Sequence, residues 1–192
     1  MALKELCILG NPVLRKTAKV LTDKEILSQE IKDLREDLFD TMTESQGIGI
    51  AAPQIGISKQ LALIYIAEGN SRYNIESSQP LLTIFNPVIT VVDESPQYFW
   101  EGCLSVPGIR GYVQRPKKIK LTYLDEFAKA RELIAEDFLS TVIQHELDHL
   151  FGTLFVDRVK DTKNLMFFSE YEKYYLASEG SQPSSPAENE NA

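Results

Sequence analysis

Residues 136–151 restrict this chain more than any other stretch. Phe138, Leu139, Val142, Ile143, Leu147 and Leu150 recur with a helical period and cover most of a helix surface. A helix apolar on nearly every side must be buried, so the rest of the chain has to supply its cover. The same helix carries His145-Glu146-Leu147-Asp148-His149. Polar groups inside an apolar helix need compensating partners. Residues four apart project on one side of a helix, one turn above the other. The two imidazoles can therefore take two corners of one cation's coordination shell, with Glu146 close enough to reach a water there. His145 and His149 are the only two histidines of the chain. The alternative, two histidines satisfied by hydrogen bonds alone, is weakened by the apolar surroundings. Gly152 supplies the stop.

A catalytic metal site usually has three protein ligands and an open position, so a third ligand must come from elsewhere. A longer zinc-protease motif would place a histidine where this chain has Phe155, which excludes that class. Another protease class would draw on a glutamate some twenty residues downstream, where Glu170 and Glu172 fall, yet the flanking sequence reads as a peripheral helix. The remaining candidate is Cys103, in Glu101-Gly102-Cys103-Leu104-Ser105-Val106-Pro107-Gly108. A buried structural cysteine is the competing reading for a lone Cys, and Cys7 is assigned to it.

The rest of the chain predicts an α+β fold. Thr22 with Glu25 forms a capping-box pattern. Leu27, Ile31, Leu34, Leu38 and Met42 then place one apolar face on a helix over 23–44. Residues 47–56, Gly-Ile-Gly-Ile-Ala-Ala-Pro-Gln-Ile-Gly, read as a tight, partly buried loop. Residues 61–67 read as a buried strand and 68–80 as a surface loop. Residues 81–92 are strand-like with a bend at Asn86-Pro87, 98–106 are extended, and Ile119, Leu121 and Tyr123 alternate as a half-buried strand. Residues 154–156 read as extended and 161–176 as a final helix. Residues 177–192 contain no core formers and read as a disordered tail. A helix, several antiparallel strands and then a helix, without βαβ alternation, read as α+β, with the buried helix lying under the sheets. Residues 1–176 are taken as one catalytic domain.

Charge and cysteine content narrow the function classes. A formal net charge of -8 repels phosphate backbones, so direct nucleic-acid binding is not expected. The N-terminus is too short and too charged for a signal h-region, and no apolar run reaches spanning length. With two cysteines and no disulfide framework, the expected compartment is the reducing cytoplasm, away from membranes.

Three segments then coincide in order: Gly47-Ile-Gly-Ile-Ala-Ala-Pro-Gln54, Glu101-Gly-Cys-Leu-Ser105 and Gln144-His-Glu-Leu-Asp-His149. Together they resemble the three signature motifs of the peptide deformylase family. Ile8-Leu-Gly-Asn-Pro-Val-Leu-Arg15 resembles its opening segment, and the similarity spans roughly residues 5 to 160. Ile50 departs mildly from the family pattern, and Trp100 stands beside the cysteine motif at a position that is commonly polar.

The resemblance implies antiparallel sheets around the helix of the HExxH motif, and a hydrolase that removes the formyl group from the N-terminal methionine of new polypeptides. It implies Cys103, His145 and His149 as ligands of one divalent metal ion, ferrous iron, with zinc or nickel as substitutes. Glu146 would be the general acid/base. Gln54 and the Leu104 backbone N–H would donate to the developing oxyanion. Ile48 and Gly49 would line the substrate cleft, Phe99, Phe138 and Val142 the methionine pocket, and Arg110 would lie near the following residues. The implied partners are N-formylmethionyl nascent peptides and, transiently, the ribosome, although the acidic and polar chain after Ser169 lacks the basic docking helix of some relatives. Two other readings remain: a zinc endopeptidase with a downstream Glu ligand, and an inactive relative that binds metal or formyl-peptides. Glu101 and Asp148 are candidates either for orienting the ligands or for surface salt bridges.

Overall fold

The computed structural model describes residues 3–67 and 78–176. The tail, and residues 68–77 of the surface loop expected at 68–80, lie outside the described residues; Gln79 and Pro80 begin a strand instead.

The expected 23–44 helix is two helices, α1 (Asp23–Ile26) and α2 (Gln29–Glu44). The Thr22/Glu25 capping box opens α1, and the Ser28 side chain accepts from Ile31 N–H to open α2. This restart turns Leu27 outward, so it is exposed rather than on the apolar face. The glycine-rich stretch is buried as expected but more regular. Gly49–Ala51 is a strand, β1, followed by a 3-10 turn over Ala52–Ile55.

Four further strands follow in antiparallel order: β2 (Leu61–Ile66), β3 (Gln79–Cys103), β4 (Val106–Leu124) and β5 (Ala130–Glu136). β5 was not foreseen. The extended pieces expected at 81–92 and 98–106 are parts of the β3–β4 hairpin. Its β3 strand bends where anticipated: Asn86 has a positive φ of 47°, and the ladder to β4 slips between Phe85 and Val88. All strands, including the short β6 (Leu165–Phe167) on β4, form one hydrogen-bonded six-stranded sheet.

β2 explains the sheet's position. Leu61 and Leu63 share a core cluster with Leu34, Leu38 and Met42 of α2. Ala62, Ile64 and Ile66 share another with Val142, Ile143, Leu147 and Leu150 of α3 (Asp137–Leu150). A strand covered on both faces reads as a continuous apolar run, as this one does. Each of the larger α3 side chains in that cluster contributes about 1.5–3 kcal/mol by its burial. Every residue of α3 from Ser140 to Leu150 is buried. Gly152, with φ 74°, follows its end.

Beyond α3 two expectations are corrected. Leu154 is extended, but Phe155–Arg158 makes a helical turn, α4, because the Asp157 carboxylate accepts from Leu154 N–H. The final helix expected over 161–176 is broken into a 3-10 turn at Thr162–Asn164, β6, α5 (Phe168–Tyr171) and a π turn over Glu172–Leu176. The reason is competition: the edge of β4 at Ile109–Gly111 captures Leu165–Phe167 as a strand. No helix among the described residues is long and apolar enough to cross a membrane.

Candidate active site

Cys103 closes β3, where it faces Val106 across a two-residue turn. That turn brings it against α3, 46 positions later in sequence, with Sγ 3.3 Å from His149 Nε2. One ligand atom from each of Cys103, His145 and His149 lies within 4.8 Å of the others. No other group of this kind occurs among the described residues. Glu170 and Glu172, the downstream candidates, are exposed and outside it.

Two of the three ligands, His145 and Cys103, are braced. His145 Nδ1 lies 2.7 Å from Glu101 Oε2, leaving its other ring nitrogen to face the thiol. Glu101 is clamped in turn by Arg115, at 2.5 Å from Nε and 2.9 Å from Nη2. Arg115 Nη1 donates to Asp148 Oδ2 at 2.9 Å, and Asp148 also accepts from Arg158. Glu101, Arg115 and Asp148 are all buried, so Glu101 and Asp148 are not surface salt-bridge partners. Ser105 N–H and the Gln54 amide donate towards Cys103 Sγ at 3.3 and 3.6 Å. Gln54 is itself held through Oε1, which accepts from Ala51 N–H at 2.7 Å.

Charge is distributed unevenly among these groups. Burial alone would raise the Glu101 carboxyl, but hydrogen bonds from Arg115 and His145 hold it at about 2. Burial pulls His145 down, yet the Cys103 thiol and Glu101 outweigh it and raise it well above the usual range. His149 is driven well below that range by burial, then by the charges of His145 and Arg115. Burial pushes Glu146 up to about 7.

The residues fit a divalent cation. Cys103, His145 and His149 supply one sulfur and two nitrogens, a three-ligand set that leaves a position open. Glu146 Oε2 and His149 Nδ1 are buried without hydrogen-bond partners, a polar surplus that a core helix does not otherwise carry.

Two cavities meet at Glu146 and His145. The larger, about 340 Å³, is lined by Ile48, Gly49, Gln54, Cys103, Leu104 and Arg110 among others. The smaller, about 50 Å³, is lined by Ile48, Phe99, Phe138 and Val142, with Trp100 and Thr141 beside them. Gly49 is required here, because a Cβ at that position would overlap the Glu146 carboxylate. Gln54, Leu104, Glu146, Ile48, Gly49, Phe99, Arg110, Phe138 and Val142 therefore border these cavities, with Cys103 and His145, while His149 completes the ligand cluster. Arg115, Arg158, Ser105 and Phe168 were missed. Ser105 closes the Glu101–Ser105 motif without having been given a role, and nothing in the local sequence marks the other three, since their roles arise from contacts across the fold.

A polypeptide deformylase family model matches residues 3–165. The chain belongs to this family. A peptide deformylase of Leptospira biflexa serovar Patoc is 45% identical over 163 residues, covering 85% of this chain and 91% of the relative. One from Caldanaerobacter subterraneus subsp. tengcongensis is 42% identical over 159 residues, covering 83% and 91%. Among solved structures, the Met-Ala-Ser-bound class I type b peptide deformylase of Acinetobacter baumannii matches with a TM-score of 0.79 at 33% identity, covering 82% of this chain and 99% of that one. The Synechococcus elongatus peptide deformylase in complex with actinonin matches with a TM-score of 0.73 at 38% identity, covering 84% and 81%. This chain is thus a deformylase, and the endopeptidase and inactive-relative readings are not favoured.

Proposed function

We propose that the site removes the formyl group from the N-terminal formyl-methionine of nascent peptides as follows, releasing formate. One observation carries the reading: a sulfur and two ring nitrogens converge within 4.8 Å, and a buried carboxylate with an unpartnered oxygen stands beside them.

Cys103, His145 and His149 would hold one divalent cation, ferrous iron in our reading, with zinc or nickel able to replace it. Such an ion supplies Lewis acidity, polarising a carbonyl and making water more acidic. Glu146 accepts a proton from water as it attacks the formyl carbon and returns it to the leaving amine. A carboxyl raised to about 7 is suited to both transfers near neutrality. The Gln54 amide, fixed through its oxygen, and the Leu104 N–H donate to the oxyanion. The methionine side chain enters the small cavity between Phe99, Phe138 and Val142, with Ile48 and Gly49 along the cleft and Arg110 towards the following residues. Glu101 holds the His145 ring in orientation, and Arg115 holds Glu101. We place the reaction in the cytoplasm, on chains leaving the ribosome.

Formate release from formyl-Met-Ala-Ser, measured without air and with ferrous iron, tests the activity. The same assay on an unformylated peptide should show no internal cleavage. Cys103→Ala should lose most of its bound metal by elemental analysis. Full occupancy in that variant would remove Cys103 from the ligand set.

A further inference from the structure

Among the described residues, Phe168 is the only lining residue of the larger cavity that lies beyond residue 165, where the match to the family model stops. The C-terminal segment after β6 thus supplies part of this wall.

Two devices set the ring in place. β6 pairs with β4 immediately before it, Phe167 facing Ile109 and Met166 facing Arg110. Immediately after it, Tyr171 and Tyr175 pack on Trp100, with ring centroids 5.3 and 5.2 Å away. Trp100, the departure beside the cysteine motif, is thus the anchor that holds the C-terminal segment against the hairpin. Tyr112 backs it from β4 at 5.2 Å.

Phe168 in turn positions a cation. The guanidinium carbon of Arg110 sits 4.4 Å over the centre of its ring. The guanidinium also lies against Gly102, where a Cβ would overlap it. Arg110 is therefore packed against both an aromatic face and backbone one residue from Cys103. A planar, stacked guanidinium of this kind is held in one pose.

We propose that Phe168 is a specificity-determining residue for the part of a nascent peptide that follows the formylated methionine. Its ring gives those residues an apolar wall, and it holds Arg110 where their backbone passes. This rests on the deformylase reading. Contacts to remote parts of a substrate are felt only by substrates long enough to make them. Contacts made equally in the ground and transition states appear in KM rather than kcat.

The test compares formyl-Met-Ala-Ser with formyl-methionine amide on the metal-loaded full chain and its variants. Phe168→Ala should raise KM for the tripeptide roughly fivefold, leave kcat within about twofold, and leave the amide unaffected. Phe168→Tyr keeps the ring and should restore the tripeptide KM. An unchanged tripeptide KM, an equal loss on both substrates, or a Tyr variant as impaired as the Ala variant would overturn the proposal. Absence of formate from the unmodified chain on both substrates would instead overturn the deformylase reading, and this inference with it.

Discussion

Helices α2 and α3 are similar in length, 16 and 14 residues, and opposite in what surrounds them. In α2 only Ile31, Leu34, Leu38, Thr41 and Met42 are buried, and most of its charged side chains reach water, although Arg35 Nε is buried without a partner. In α3 everything from Ser140 onwards is buried, polar residues included. Each polar group there needs a protein partner. The Gln144 amide donates to the Pro116 carbonyl and to Ser140, Asp148 is bound by two arginines, and His145 by Glu101. Glu146 Oε2 and His149 Nδ1 are the two α3 side-chain atoms left over. A surface helix shows its function poorly because water satisfies most of its polar groups. In a buried helix the groups left unsatisfied mark the chemistry.

That contrast can be broken, and the sharpest attempt is Glu146→Gln. It should lower kcat by roughly 10²–10⁴-fold. Because it also relieves a buried carboxylate of its desolvation, the melting temperature should stay the same or rise. A variant with near-normal turnover would sink the role given to Glu146. Arg115→Met comes next. It leaves Glu101 and Asp148 buried with fewer partners and should destabilise the fold by about 3–5 kcal/mol in urea unfolding, with weaker metal retention. Leu38→Ala probes the core face of α2, where Leu38 is fully buried, and should cost about 2–4 kcal/mol without changing KM. Glu36→Ala, on the exposed face, should shift stability by less than about 0.5 kcal/mol. If it matched Arg115→Met, the distinction between the two helices would fail.

The fold was legible where one period persisted. The apolar face of residues 31–42, the buried run of β2 and the all-apolar surface of α3 follow from residue spacing, and the structure has them. The bend at Asn86-Pro87 followed from a missing N–H donor. The 161–176 stretch was read as a helix because nothing local shows that β4 offers a free edge at Ile109–Gly111. β5 was missed because Ala130–Glu136 alternates weakly and only Ala135 is fully buried within it. At the site, His145, Glu146 and His149 were legible as neighbours on one helix face. Arg115 was not, since a lone arginine beside Pro116 carries no mark of burial.

The sequence by itself determined that a buried helix would carry two imidazoles and a carboxylate on one turn, because helical geometry makes residues four apart neighbours whatever surrounds them. It also carried the three motifs that tie the chain to its family. Only the tertiary structure decided that Cys103 meets those imidazoles, that Arg115 links Glu101 to Asp148, and that Phe168 returns from the C-terminal segment to the cavity. Those contacts depend on strand register and on which edge captures which segment. Such choices are made by packing between elements distant in sequence, and local spacing carries no record of them.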